Sequence, residues 1–203
     1  MIRRIGTAVL AAVLFVLVAA PAGATPLAFP SFHQEGTGRP RPPTIDAGAW
    51  ILYDATAGVV LAEYNADTQR APASITKIMT VLVALEHGNP EDLVTISNRA
   101  AATGEREINV VPGERVPLGA LMKAAIIHSA NDAATAIAEH VGGSVSDFVA
   151  MMNAKAEELG MTRTHFVNPH GLDAAGHVTT ARDMLTLGLA AMQHPEFKAM
   201  ASA

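Results

Sequence analysis

The pattern of apolar and polar positions divides the chain into stretches of different rhythm. Residues 5–20 are almost wholly apolar. Residues 25–44 carry Pro26, Pro30, Pro40, Pro42 and Pro43 with little apolar periodicity, the composition of an extended linker. Two short β-prone runs follow, residues 49–53 and 59–64. Between them Asp54-Ala55-Thr56-Ala57-Gly58 has the turn residues of a hairpin loop. The folded part is expected over 45–203.

From Pro72 onward the rhythm becomes helical. In residues 74–87, Ile75, Ile78, Met79, Leu82 and Leu85 recur at three- and four-residue steps, and Gly88 supplies a stop. A second helix is predicted from Pro117, a residue accepted in a first turn, through Leu118, Leu121, Met122, Ala125 and Ile126 toward His128. A third follows at once, with Ser129 or Asn131 as cap, Ala134, Ile137, Ala138 and Val141 as its stripe, and Gly142-Gly143 as its end. Ser144 with Asp147 makes a near capping box for a fourth helix over 145–159, and Thr180 with Asp183 repeats the device for a fifth over 181–193. Residues 91–116 and 168–179 read as long loops, while 196–200 keep helical composition. The order predicts a hairpin followed by a helical cluster, an α+β fold. A lone two-stranded hairpin is marginal in water, so the sheet is expected to lack its later strands.

Composition narrows the classes. A chain of 203 residues is one domain or a piece of one. Lys and Arg number 14 against 19 Asp and Glu, a net charge of −5, and two of the arginines sit at positions 3 and 4. Nucleic-acid binding, which needs clustered positive charge, is not expected. With no Cys, disulfide scaffolds, Cys-ligated zinc and Cys nucleophiles are excluded.

Arg3-Arg4, the apolar run and the small-x-small triplet Ala22-Gly23-Ala24 together read as a signal peptide over 1–24, cleaved after Ala24. The competing reading, a membrane anchor, is disfavoured because the apolar run falls short of the roughly 20 residues that span a bilayer. Export across the cytoplasmic membrane is therefore expected, to a periplasmic, cell-wall-associated or secreted location. No later run is long and apolar enough for a second span.

Three words could carry chemistry. Ser74-Ile75-Thr76-Lys77 opens an apolar helix, and the spacing of three places both side chains on one face. A serine hydroxyl becomes a nucleophile when a neighbouring base takes its proton, and a lysine can do so if desolvation lowers its pKa. The bland alternative is a capped helix with a solvated lysine. Ser129-Ala130-Asn131 lies between two helices, where the hydroxyl could relay a proton and the amide could hold a substrate carbonyl and contact the lysine; an ordinary helix cap explains it equally. In Asn168-Pro169-His170-Gly171-Leu172-Asp173 with His177, three residues could be taken for metal ligands, but the spacing supports a structural loop better.

Taken together, Ser74-x-x-Lys77 and Ser129-x-Asn131 resemble the serine penicillin-recognising enzymes. The surrounding words are similar to those of the D-alanyl-D-alanine carboxypeptidases, the low-molecular-mass penicillin-binding proteins: residues 71–80, 129–134, Leu159-Gly160-Met161 with Thr164-His165-Phe166, 168–173 and 180–184. The resemblance implies a β-lactamase/transpeptidase-like fold and removal of the terminal D-alanine from peptidoglycan stem peptides ending in D-Ala-D-Ala, through an acyl-enzyme. It implies Ser74 as nucleophile, Lys77 as its base, Ser129 as proton relay to the leaving group and Asn131 as a substrate-binding residue. β-Lactams would acylate the same serine, and no cofactor or metal is implied. Ala130 stands where the family more often has Gly, a change expected to be tolerated.

One family motif is absent. None of Lys77, Lys123, Lys155 and Lys198 is followed by Thr-Gly or Ser-Gly, so the Lys-Thr-Gly triplet of a later strand is missing and impaired activity is expected. Two other outcomes stay open: a non-catalytic cell-wall-binding module, or a β-lactamase, although the loop at 168–179 holds no Glu to serve as deacylating base.

Overall fold

A computed structural model describes residues 44–203. The expected leader, and all of the expected linker except Thr44, lie outside the described residues.

The first element is the predicted hairpin, β1 (Trp50–Asp54) antiparallel to β2 (Val59–Tyr64). Its turn is built by Asp54, whose Oδ1 accepts the N–H groups of Thr56 and Ala57 at 2.8 and 3.0 Å while its carbonyl accepts Gly58 N–H. The register shifts between Leu52 and Tyr53, which pair with Ala62 and Val60.

A 3-10 turn, Ala73–Ile75, then leads into α1 (Thr76–His87). Met79, Val81, Leu82, Val83 and Ala84 are all at most 1% exposed, so α1 is buried around nearly its whole circumference. Such a helix must be the centre of the molecule.

The stretch expected as a loop over 91–116 contains three short elements: β3 (Leu93–Thr95), α2 (Asn98–Ala101) and β4 (Arg115–Pro117). β3 and β4 pair antiparallel through Val94 and Val116, and Ser97 caps α2 by accepting Ala100 N–H at 2.9 Å. Three-residue strands are too short to show a period, which is why the pattern missed them. What holds them is tertiary burial of Val94 and Ile96, each 2% exposed.

Around α1 pack α3 (Leu118–Ile127), α4 (Asn131–Gly142), α5 (Val145–Glu158), α6 (Ala181–Ala191) and α7 (Pro195–Ala201). The first four match the predicted helices within a residue or two, and α7 realises the helical composition seen after residue 195. Leu118, Leu121, Met122, Ile137, Phe148, Met152, Phe166 and Leu187 fill the core with no exposure. Gly88 ends α1 in extended rather than left-handed backbone. Its lack of a side chain serves close approach, because a Cβ there would press on Leu118 at the start of α3.

The capping predictions divide. Ser144 accepts Asp147 N–H at 3.1 Å and donates to its carboxylate at 2.7 Å, a closed local pair at the start of α5. Thr180 accepts Asp183 N–H at 3.0 Å as expected. The Asp183 carboxylate, however, accepts from Arg163 N–H and Thr164 Oγ1, tying α6 to the preceding loop. The cap expected of Ser129 or Asn131 is not made: Ala130 is the cap residue of α4 and no side chain bonds there. Both polar neighbours are used elsewhere, as described below.

The hairpin is fastened to this helical body by two arginines. Arg182 of α6 donates through Nη2 to the Glu63 carboxylate at 2.9 and 3.0 Å and through Nε to Asp67 at 2.8 Å. The guanidinium beside Asp67 holds its carboxyl below the usual range. Arg70 exchanges backbone hydrogen bonds with Thr179 and donates from its side chain to the Gly48 carbonyl.

Phe148→Ala, which empties a fully buried ring site between α4 and α5, should cost about 3–5 kcal/mol. Ser144→Ala, which removes only the cap, should cost about 1 kcal/mol. Urea unfolding followed by circular dichroism checks the ratio; equal losses would contradict this account of the core.

Candidate active site

Ser74 sits in the 3-10 turn and Lys77 in the first turn of α1, so the spacing of three brings them together as predicted. Lys77 Nζ is 3.3 Å from Ser74 Oγ. The same nitrogen is 3.3 Å from Ser129 Oγ, in the link between α3 and α4, and 2.6 Å from the His170 carbonyl. Ser74 is exposed at the surface of a cleft, whereas Lys77 is 2% exposed. The nitrogen therefore lies at the meeting point of three segments far apart in sequence. Its hydrogen-bond partners are all oxygens of neutral groups, and an ammonium with three N–H donors can be satisfied by three such acceptors.

The absence of a carboxylate at hydrogen-bond distance sets the electrostatics. Burial, and secondarily the Arg106 charge, lower the Lys77 pKa from 10.5 to about 8. About a tenth of the amine is then neutral at pH 7, enough to serve as a base. His170 is lowered to about 4 by burial first and then by the Lys77 and His177 charges.

The loop that presents the His170 carbonyl is rigid for reasons visible in its sequence. Asn168 Oδ1 accepts the N–H groups of His170 and Gly171 at 3.2 and 2.7 Å, and its Nδ2 donates to the Leu172 carbonyl at 2.8 Å. Gly171 has φ +95°, and a Cβ on it would overlap the Ala73 carbonyl. Only glycine lets the loop lie against the turn that carries Ser74. Thr80 Oγ1 donates to the Pro169 carbonyl, and Thr76 Oγ1 is 2.9 Å from His177 Nε2. The first turns of α1 thus hold the loop at three successive points.

The opposite wall is residues 104–110, held by the start of α4. Asn131 N–H donates to the Arg106 carbonyl at 2.6 Å and Asn131 Nδ2 to the Gly104 carbonyl at 2.8 Å. Asp132, 1% exposed, accepts the N–H groups of Ile108 and Val110. The expectation that the Asn131 amide contacts the lysine is corrected here. Among the described residues no hydrogen bond joins Asn131 to Lys77, because the amide nitrogen faces Gly104 instead. Asn131 nevertheless lines the same cleft, of about 340 Å³, with Ser74, Glu105, Arg106, Gly171 and Asp173. Ala130 has φ −67° and its methyl is fully buried, so the backbone makes no demand for glycine there.

Backbone strain collects around this cleft. Ala73, Glu105 and Ser129 have φ values of 48, 75 and 57°, a region that non-glycine residues enter at a cost of order 1–3 kcal/mol each. Asn131 bonds the carbonyls on either side of Glu105, Lys77 Nζ donates to Ser129 Oγ, and Gly171 lies against the Ala73 carbonyl. Sequence reasoning missed Thr76, Thr80, Asp132 and the His170 carbonyl. A backbone oxygen has no sequence signature, and the others sit beside motif residues without a pattern of their own. Of the residues weighed as metal ligands, His177 has both ring nitrogens engaged and His170 Nδ1 accepts Leu172 N–H. Among the described residues there is no group of three or more His, Asp and Glu able to hold a metal.

Residues 37–202 match the D-alanyl-D-alanine carboxypeptidase family. The D-alanyl-D-alanine carboxypeptidase DacC of Escherichia coli is 46% identical over 159 residues, which cover 73% of this chain and 40% of the relative. The crystal structure of the D-alanyl-D-alanine carboxypeptidase DacD from Francisella tularensis matches with a TM-score of 0.76 and 35% identity, over 83% of this chain and 42% of that one. That of penicillin binding protein 6B from Escherichia coli matches with a TM-score of 0.75 and 39% identity, over 81% and 56%. The expected α+β, penicillin-binding type of fold is therefore the observed one. The chain spans about two-fifths of the length of the curated relatives it matches.

Lys77 binds its proton less tightly folded than unfolded. The cost of the buried cation is therefore fully present below pH 8 and is relieved as pH rises from about 8 toward 10.5. Over that interval the protein should gain about 3 kcal/mol relative to Lys77→Met, measured by urea unfolding at a series of pH values; parallel curves would contradict a depressed Lys77. Gly171→Ala should lower thermal stability and displace the His170 carbonyl, read as a changed Lys77 titration in carbon-13 NMR.

Proposed function

Since the chain belongs to the D-alanyl-D-alanine carboxypeptidase family, we propose that it is exported across the cytoplasmic membrane and acts as a serine-type D-Ala-D-Ala carboxypeptidase on peptidoglycan. The observation that carries this reading is the buried Lys77 nitrogen held 3.3 Å from both serine hydroxyls. In its neutral form two N–H bonds of the amine point to the His170 carbonyl and Ser129, and the lone pair accepts the Ser74 proton. Ser74 Oγ then attacks the carbonyl carbon of the penultimate D-alanine, and the backbone N–H of Ser74 supplies one arm of an oxyanion hole. As the tetrahedral adduct collapses, the C–N bond breaks. The proton taken by Lys77 passes through Ser129 to the leaving D-alanine nitrogen, leaving an ester on Ser74. Water, deprotonated by the same amine, hydrolyses the ester and regenerates the serine.

The substrate is a stem peptide ending in D-Ala-D-Ala, and a β-lactam acylates the same oxygen through its strained amide. Arg106, exposed on the cleft wall and in no ion pair among the described residues, suits a ligand that carries a carboxylate. Asn131 serves substrate binding chiefly by fixing the wall at residues 104–106. The Lys-Thr-Gly triplet does not occur in these 203 residues, so acylation and turnover are to be measured separately.

Incubation of the chain with a penicillin, followed by intact mass and peptide mapping, should place one adduct on Ser74. The adduct should disappear in Ser74→Ala, and its rate should rise with pH to a plateau above about 8, following Lys77. Absence of any adduct, with binding retained, would favour a non-catalytic cell-wall-binding module. Release of hydrolysed penicillin within seconds would favour a β-lactamase.

A further inference from the structure

His177 is the buried group that the mechanism above does not use. It is 2% exposed, and both ring nitrogens have partners of defined polarity. Val167 N–H can only donate, so Nδ1, 2.9 Å away, must be the unprotonated nitrogen. The ring proton is then on Nε2 and is donated to Thr76 Oγ1 at 2.9 Å. Phe166 packs on the ring, with centroids 5.9 Å apart. Thr76 is the residue before Lys77, and Val167 is three residues before His170. The imidazole therefore bridges the helix turn that carries the base and the loop that carries the base's 2.6 Å acceptor.

We propose that His177 is a positioning residue: as a neutral Nε2–H imidazole it clasps residues 165–178 to the first turn of α1 and so keeps the His170 carbonyl on Lys77 Nζ. The inference rests on the reading of Lys77 as the base and deepens it by naming what holds that base in place. A protonated ring would turn an N–H toward Val167 N–H, donor against donor, and the clasp would open. The titratable groups that act on His177 are His165, His170 and Asp173 on the loop, while α1 presents to it the neutral hydroxyl of Thr76. Burial is the main cause that lowers its pKa, with His165 adding to the shift and Asp173 opposing it. The neutral clasp thus persists at pH values where ordinary histidines are charged. With the clasp open, the loop moves off α1, water reaches Lys77, and the desolvation that depresses its pKa is lost.

The test uses the full chain without substrate. Long-range nitrogen-15 NMR should show His177 as the Nε2–H tautomer, titrating below the ordinary histidine range. Carbon-13 NMR of the lysine side chain should show Lys77 titrating near 8, and moving up by about one unit in His177→Leu, which lacks both hydrogen bonds. His177→Gln, whose amide N–H can still reach Thr76, should restore most of the shift. An Nδ1–H tautomer, ordinary titration of His177, or an unchanged Lys77 midpoint in His177→Leu alongside a lower melting temperature would overturn the proposal. The tautomer measurement needs no variant, so a His177→Leu chain that fails to fold leaves it decisive. Failure of penicillin to acylate wild-type Ser74 would overturn the catalytic reading separately, since neither NMR measurement depends on acylation.

Discussion

Everything near the cleft follows from one constraint: an amine is kept almost out of water with no carboxylate among its hydrogen-bond partners. A lysine buried beside an aspartate would be locked as a cation and useless as a base. A lysine in solvent would keep its proton until pH 10. Lys77 avoids both because its acceptors are two hydroxyls and one carbonyl, which solvate the ammonium adequately without fixing it. Burial and the positive charge of Arg106 then bring its pKa down to about 8.

Maintaining that site requires three segments to meet at one nitrogen, and the fold is arranged around the need. α1 is buried on nearly all sides, so its first turn holds Lys77 firmly beside Ser74. α4 anchors one wall through Asn131 and Asp132. The loop over 165–178 forms the other and is held both by its own Asn168 turn and by Thr76, Lys77 and Thr80. The positive φ values at Ala73, Glu105 and Ser129 are local costs of this convergence, at points where Gly171, Asn131 and Lys77 meet the chain.

The division between the two short sheets and the helical body has a similar cause. β1 and β2 form a hairpin through a self-contained Asp54 turn, yet the pair depends on Arg182 and Arg70 for its place. β3 and β4 have no independent signal at all and exist because Val94 and Ile96 find the core. In each case the short element is stabilised by what it is pressed against rather than by its own pattern.

Much of the site was nevertheless readable in the amino-acid order. The sequence alone determined the five longer helices, the hairpin and the Ser74–Lys77 pairing, because helical and strand periods and a spacing of three act within one segment. It also marked Ser129, as helix cap or proton relay, and the Asn168–Asp173 loop, though not that the loop's carbonyl meets Lys77. Tertiary structure alone decided that Ser129 and Asn131 face the cleft instead of capping α4, and that Asn131 holds Gly104 rather than touching the lysine. It also placed a backbone oxygen, which leaves no trace in sequence, as the shortest contact of the Lys77 nitrogen. Those outcomes depend on which groups meet after segments some 50 to 100 residues apart have packed, and burial, not local propensity, chooses the partners there.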